Sequence, residues 1–549
     1  ARTTEPKAHT RIPLPINLYG MHRQNSKGIN YGNERELKAF ADSLRAPFLD
    51  ATPLLGGVAP AASNPSVDVL APADNKRVVG KIRFADAAQV EHALATAHGA
   101  QAAWDRVKVE LRADALERAA DLLEANRGEL IALLTLEAGK TLGDGIGEVR
   151  EAADFCRYYA AIARKEFATP TALTGPTGES NELFLHGRGV FVCISPWNFP
   201  LAIFLGQIAA ALVTGNTVIA KPAEQTSLVA FRATQLMYDA GIPREVLQLL
   251  PGVGASVGAK LCADARTAGV CFTGSTETAR TINRTLAARD AAIATLIAET
   301  GGQNALICDS SALPEQIVKD AITGAFGSAG QRCSATRVLF VADVIADRVA
   351  HLLQGALGEL RMGLPEQLTS DLGPVIDEGA RKILADHAAR MDKLVASGEA
   401  TLVAQMPLPD SLASGTFFAP RAYESASLKV LQREVFGPVL HIIRYQAKDL
   451  DAVIDSINDS GYGLTLGIHS RIDATIEHIQ KRVRVGNCYV NRNMVGAVVG
   501  VQPFGGEGLS GTGPKAGGPH YLHRFVTERT LTVNTAAVGG NATLIAQGA

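Results

Sequence analysis

A chain of 549 residues is too long for one hydrophobic core and is expected to divide into two or three globular units. With 47% apolar and 20% charged residues it is not a disordered chain, and 53 Lys and Arg against 55 Asp and Glu exclude a basic nucleic-acid face or an acidic tail. The longest apolar run, 201–220, is interrupted by Gln207, Thr214, Gly215 and Asn216, so it reads as a buried helix followed by a strand rather than a membrane span.

Residues 1–60, rich in Pro, Gly, Asn and Arg, read as an arm or linker with a brief helical pattern at 34–44, and the first residues show no apolar leader core, so a cytoplasmic location is expected. From 86 to 167 the pattern is helical: Leu111, Ala115, Leu116, Ala119, Leu122 and Leu123 fall on one helix face. Beyond Gly189, β-rich runs at 190–194, 217–220, 246–250, 269–272 and 295–298 alternate with helical ones, which predicts a parallel sheet covered by helices. A second series, including 337–341, 439–443 and 487–490, predicts another α/β unit, with the boundary at Gly301-Gly302.

In an open parallel sheet, ligands sit at the carboxyl ends of the strands. The five runs end in Ser195-Pro196-Trp197-Asn198-Phe199-Pro200, Lys221-Pro222-Ala223-Glu224, Pro251-Gly252-Val253-Gly254, Thr273-Gly274-Ser275-Thr276-Glu277 and Glu299-Thr300-Gly301-Gly302, which one crevice could gather. Gly252, Gly254 and Gly258 have GxGxxxG rather than GxGxxG spacing and fit a plain strand-to-helix turn equally well. Glu224 strengthens a dinucleotide reading, because a carboxylate there accepts from ribose hydroxyls and repels a 2′-phosphate, favouring NAD over NADP.

Seven cysteines, without a CxxC, predict reduced thiols. Cys193, Cys271, Cys308 and Cys488 lie in apolar runs as small hydrophobes, and Cys156 and Cys262 fit helix faces. Cys333 differs, because it sits in the polar turn Gly330-Gln331-Arg332-Cys333-Ser334-Ala335. Taken singly, Glu299 would be a solvated carboxylate, Asn198 a turn cap, and His520 and His523 structural histidines without a third metal ligand.

Taken in order, the five strand ends, the Cys333 turn and Glu434-Val435-Phe436-Gly437-Pro438 resemble the aldehyde dehydrogenase superfamily over roughly residues 60–535. The resemblance implies an α/β fold with a Rossmann-type NAD-binding unit (61–167 and 189–301), an α/β catalytic unit (302–497), a β-arm for oligomerisation (168–188 and 510–537) and a tail (538–549). It implies Cys333 as nucleophile, Glu299 as general base and Asn198 as oxyanion donor, with Trp197, Lys221, Glu224, Gly254, Gly274, Ser275, Glu434 and Phe436 at NAD and no metal. Thr300 and Gln303 depart from the commoner Leu and Lys of the family, and neither is expected to touch the mechanism.

The stretch 493–506 and Gly517-Gly518-Pro519-His520-Tyr521 resemble the L-glutamate γ-semialdehyde (Δ1-pyrroline-5-carboxylate) dehydrogenases. Residues 11–20 and Gly539-Gly540-Asn541-Ala542 resemble segments flanking the dehydrogenase half of bifunctional proline utilisation enzymes. This implies NAD-dependent oxidation of the semialdehyde to glutamate, the second step of proline catabolism. Ser334 and the Gly496 and Ala497 amides would hold the substrate α-carboxylate, Glu151 its α-ammonium, and Phe199 and Phe504 would flank its chain. A homodimer or larger assembly is implied, with a proline dehydrogenase domain or partner as a possible source of substrate. The rival readings are a dehydrogenase of another carboxylated semialdehyde gripped by Arg332, a CoA-acylating enzyme, for which Glu299 would be superfluous, and a non-catalytic binding protein, against which Cys333, Glu299 and Asn198 together count.

Overall fold

The computed structural model describes residues 11–538; Gly539-Gly540-Asn541-Ala542 and nearly all of the expected tail lie outside the described residues. Two large β-sheets organise the chain. The first comprises β1 (Val190–Ile194), β2 (Thr217–Lys221), β3 (Leu247–Leu249), β4 (Thr267–Thr273) and β5 (Thr295–Glu299), all parallel, in the order β5-β4-β1-β2-β3. These are the five runs the sequence predicts, with most ends displaced by one or two residues.

They read as unbroken apolar runs because helices cover both faces. Alternate strand residues enter opposite cores. Val190, Val192, Ile219 and Val270 pack with helices α1 (Ala87–Asp105) and Thr276–Ala287. Phe191, Cys193, Val218 and Cys271 pack with α2 (Val109–Ala125), α3 (Arg127–Ala138), α4 (Leu142–Glu166), α5 (Ala202–Val213) and α6 (Ser227–Asp239). Local chemistry sets the helix limits: Asp86 and Gln89 form a reciprocal capping box at α1, Thr141 caps α4, and Gly139, at φ 65°, ends α3.

The second sheet contains β6 (Ala305–Cys308), β7 (Val338–Ala342), β8 (Ala400–Gln405), β9 (Arg421–Ser425), β10 (Val439–Tyr445), β11 (Thr465–His469) and β12 (Asn487–Val490), in the order β8-β9-β10-β7-β6-β11-β12. Its pairs are parallel except β8 with β9. A third, antiparallel sheet joins Thr171–Leu173, Glu179–Gly187 and Val526–Asn534, where the sequence suggests a hairpin arm. Among residues 11–60 the expected helix is present as Glu34–Ser43. An unanticipated strand, Leu49–Ala51, pairs with Asp74–Arg83, and Leu54 bridges to Leu249. Among the described residues no helix is long and apolar enough to cross a membrane.

In the first sheet, the chain proceeds outward from β1 through β2 and β3, then returns to the other side of β1 for β4 and β5. The adjacent ends of β1 and β4 therefore diverge at a topological switch point, where a crevice must open.

Glu137, near the end of α3, fastens this frame: its carboxylate is 1% exposed and accepts from the Leu228 and Val229 amides at 2.6 and 2.9 Å at the start of α6. Glu137→Ala strands both donors away from water. It should cost about 2–4 kcal/mol, measured as a lower urea midpoint, and an unchanged midpoint would refute the role.

Candidate active site

Two cavities meet at Cys333. The first, of ≈ 470 Å³, opens at the β1/β4 switch point and is lined by Trp197, Asn198, Gly274, Ser275, Glu434 and Phe436. The second, of ≈ 450 Å³, is lined by Glu151, Phe199, Ser334, Gly496, Ala497 and Phe504. Cys333, Thr273 and Thr300 border both, and Glu299 borders the second. Their volumes suit small-molecule ligands. Lys221, Glu224 and Gly254 stand apart from the lining, at the neighbouring strand ends. There Glu224 Oε1 accepts from the Gly254 amide at 2.7 Å, and the buried Lys221 ammonium donates to the Pro222 carbonyl at 3.1 Å.

The Cys333 turn is held by groups distant in sequence. Ser328, Ala329 and Gly330 are consecutive left-handed residues, at φ 57°, 52° and 67°. A Cβ on Gly330 would lie 2.2 Å from the Gly437 carbonyl, so only glycine fits. Arg337, 1% exposed, donates to the Gly330, Gly437 and Arg332 carbonyls at 2.7, 3.2 and 3.0 Å and pairs with Glu434 at 3.3 Å. Asn304 donates to the Cys333 and Ala335 carbonyls at 2.6 and 3.0 Å. Asn198 Nδ2 donates to Gln331 O at 3.0 Å, which brings the Asn198 amide group against the turn and occupies one of its two N–H bonds. Sequence reasoning missed Arg337 and Asn304; an arginine entering an apolar strand was the one available signal. Trp197 and Phe436 meet edge to face, with ring centroids 5.4 Å apart, and wall the first cavity.

Glu299 ends β5. Its Oε2 accepts from the Gly506 amide at 3.2 Å, and its Oε1 is buried without a partner. A Cβ on Gly505 or Gly511 would come within 2.7 or 2.9 Å of the carboxylate, so both glycines keep its place open. Burial pushes this carboxyl well above the usual range.

One face of α4 carries Asp144, Glu148, Glu151 and Asp154 toward the second cavity, at spacings of three and four residues. Asp144 pairs with Arg332 at 2.6 Å, Glu148 with Lys140 at 3.0 Å and Asp154 with Arg23 at 2.7 Å. Among the described residues, the Glu151 carboxylate has neither a hydrogen bond nor an ion pair. Burial, then the neighbouring Glu148, push its carboxyl up to about 7, against the pull of Arg332 and Lys140. Lys140 Nζ also donates to the Asn198 carbonyl at 2.6 Å and lies 4.3 Å from the centre of the Phe199 ring, tying the Asn198 loop to α4. Ser334 Oγ donates to the Val495 carbonyl at 3.4 Å, beside Gly496 and Ala497.

Burial, followed by the charges of Glu434, Glu299 and Glu151, pushes the Cys333 thiol up to about 12. Negative neighbours disfavour the thiolate, so removing one lowers the pKa. Alkylation of Cys333 by iodoacetamide should keep rising with pH through the alkaline range, and Glu434→Gln should make it severalfold faster at pH 9. Equal rates in the two proteins would contradict this electrostatic reading.

The description "Aldehyde dehydrogenase family" belongs to the family model that matches residues 59–531. The bifunctional protein PutA of Escherichia coli (strain K12) is 49% identical over 530 residues, covering 95% of this chain and 39% of that one, so the chain spans about two fifths of that relative's length. The 1-pyrroline-5-carboxylate dehydrogenase of Anoxybacillus flavithermus is 36% identical over 511 residues, covering 91% of this chain and 96% of the relative. The crystal structure of a 1-pyrroline-5-carboxylate dehydrogenase from Thermus with bound NAD superimposes with a TM-score of 0.87 at 33% identity, covering 96% of this chain and all of that one. The sheet order, the paired cavities and these matches agree: the chain belongs to the aldehyde dehydrogenase family.

Proposed function

We propose that the chain oxidises L-glutamate γ-semialdehyde, the open form of Δ1-pyrroline-5-carboxylate, to L-glutamate with NAD. The observation that carries this reading is Glu151, the unpaired member of the carboxylate row, in a cavity that Cys333 borders. A half-buried carboxylate that lines a cavity and has no cation paired to it suits a cationic ligand group, and the α-ammonium of an amino aldehyde supplies one. Relatives named for this activity, alike over nearly their whole length, support it.

The first cavity suits NAD. It opens at a switch point, with Gly274 and the Ser275-capped helix start at its edge. A Cβ on Gly301 would lie 1.7 Å from Glu434 Oε2, so the glycine leaves that half-buried carboxylate its place on the wall. Trp197, Gly274, Ser275, Glu434 and Phe436 would hold the cofactor there, with Lys221, Glu224 and Gly254 beyond them toward the ribose. NAD supplies the hydride acceptor and a positive charge.

Cys333, as thiolate, attacks the aldehyde carbon, and the second N–H of Asn198 with the Cys333 amide receives the oxyanion, one such donor being worth about 3–4 kcal/mol. Loss of hydride from the adduct leaves a thioester on Cys333. Glu299 takes a proton from water, which attacks the thioester and releases glutamate and the thiol. At the head group, Glu151 binds the ammonium and Ser334, Gly496 and Ala497 the carboxylate, with Phe199 and Phe504 along the chain. Arg332, the residue a dicarboxylic rival would use, is engaged by Asp144. A proline dehydrogenase activity, in the same polypeptide or a partner, would supply the substrate.

NADH formation at 340 nm should be strongest with Δ1-pyrroline-5-carboxylate, weak with succinate semialdehyde or propanal, and absent in Cys333→Ala. Glu151→Gln should raise KM for the amino aldehyde roughly 10–100-fold, the cost of one charged contact. Because the cation needs ionised Glu151, kcat/KM should fall as pH drops through about 7, and that limb should vanish in Glu151→Gln. Equal turnover of propanal would sink the substrate assignment.

We also propose that the β-arm joins protomers. Leu173, Leu531 and Val533 leave it 43–49% exposed, and such apolar side chains suit a dimer interface. Leu531→Arg should reduce the mass seen by light scattering to that of one chain; an unchanged assembly would remove the arm from the interface.

A further inference from the structure

The family model begins at residue 59, yet an earlier segment helps to wall the second cavity: Leu18, Tyr19 and Asn25 line it together with Glu151. Arg23 pins that segment in place. Its guanidinium, 8% exposed as a residue, donates to Asp154 Oδ1 at 2.7 Å and to the Val499 carbonyl at 2.5 Å, and lies 3.7 Å from the centre of the Tyr19 ring. Ser26 adds two bonds to Asp154, from its hydroxyl at 2.8 Å and its amide at 3.2 Å, and Arg150 donates to the Ser26 hydroxyl at 3.3 Å. One buried cation thus joins three pieces: the 16–26 segment, α4 one turn beyond Glu151, and the 495–499 loop that presents Gly496 and Ala497.

The arrangement has a consequence for charge as well as for shape. Asp154 sits three residues from Glu151 on the same helix face, and without Arg23 it would keep its Ser26 hydrogen bonds but be a second carboxylate with no cation paired to it. That would repel an ionised Glu151 and offer an incoming ammonium a competing position. The other charged and titratable groups around Glu151 include Asp144, Glu148 and Tyr159 on α4, Lys140 from the α3–α4 connection, Arg332 and Cys333 from the Cys333 turn, and Arg150 at the Ser26 end.

We propose that Arg23 is a positioning residue and Tyr19 a specificity-determining one: Arg23 neutralises Asp154 and ties Val499 to α4, so that Glu151 is left to face the Gly496 and Ala497 amides as a cation site, and the Tyr19 ring closes the end of the cavity against larger head groups. The inference rests on the reading of Glu151 given above.

The test uses the 549-residue chain and two aldehydes, glutamate γ-semialdehyde, which has the head group, and propanal, which lacks it. Arg23→Met should raise KM for the first at least roughly tenfold, the penalty of orphaning a buried charge, while leaving kcat/KM for propanal within about twofold, an internal check that the protein is folded. Its acid limb in kcat/KM should move to higher pH. Adding Asp154→Asn should bring that limb back, and Arg23→Lys should restore most of it, responses that simple anchoring would not produce. Tyr19→Ala should leave the limb in place and raise relative turnover of the homologue one methylene longer by roughly tenfold. Equal losses on both aldehydes with an unmoved limb would reduce Arg23 to a fastening, and an unchanged homologue preference in Tyr19→Ala would remove Tyr19 from specificity; either overturns its half of the proposal. Wild-type preference for propanal would overturn the substrate reading and this inference together, and it is visible before any variant is compared.

Discussion

Four carboxylates on one face of α4 point toward a single cavity, and like charges cannot be buried side by side unless cations accompany them. The cations come from three separate stretches of chain: Lys140 before the helix, Arg23 from the N-terminal segment and Arg332 from the catalytic turn. Each pair therefore also fixes a piece of the cavity wall. Lys140 reaches from Glu148 to the Asn198 carbonyl, Arg332 is the residue before Cys333, and Arg23 reaches the substrate loop at Val499. Buried pairs of this kind contribute little net stability, because desolvation offsets much of their attraction. Here they supply geometry: the Cys333 turn, the Asn198 loop and the 495–499 loop are all referenced to one helix.

Carboxylates also work against ionisation of the Cys333 thiol. Glu434, Glu299 and Glu151 all oppose ionisation of Cys333, on top of burial. A thiol held in this way resists chance oxidation and alkylation, since the thiolate is the reactive form. Activation then depends on positive charge entering the cavities. An ammonium on Glu151 cancels one opposing charge, and a cationic group beside Glu434 cancels another, so occupancy of both cavities favours the ionised sulfur more than either alone.

The strand ends were legible because a parallel sheet leaves two local traces, continuous apolar runs and polar residues just past them, and it presents those residues at one edge. That is why the strand-end segments that hold Asn198, Gly274 and Glu299 could be gathered from position, whereas the roles expected of these three residues came from the family likeness. Glu151, Ser334, Gly496, Ala497, Phe199 and Phe504 came through family likeness, and they do line one cavity. Arg337, Asn304, Lys140 and Arg23 were not legible. Arg23 meets Asp154 131 positions away, and such contacts impose no periodicity on either stretch. The strand Leu49–Ala51 escaped for a related reason, since three residues with one buried are too few to show alternation and their partner strand lies some thirty residues on. Lys221, Glu224 and Gly254 are a partial case: they gather at neighbouring strand ends, but Glu224 is satisfied by the Gly254 amide and none of the three lines the first cavity.

Selectivity in such a site works more by refusing wrong ligands than by attracting the right one. An aldehyde of similar length without an ammonium would leave the half-buried Glu151 unpaired in the cavity, or force it to take up a proton. A second carboxylate in its place would meet Glu151 directly. The two cations whose charge acts on Glu151, Lys140 and Arg332, are committed to Glu148 and Asp144 and could turn to a new anion only by leaving those carboxylates unpaired in turn. The cost of an ill-matched head group is thus passed along the helix rather than absorbed at one residue. A polar site built to pair a specific charge rejects analogues lacking it far more strongly than an apolar pocket rejects a missing methylene, and on α4 the neighbouring pairs, by being complete, give Glu151 that leverage.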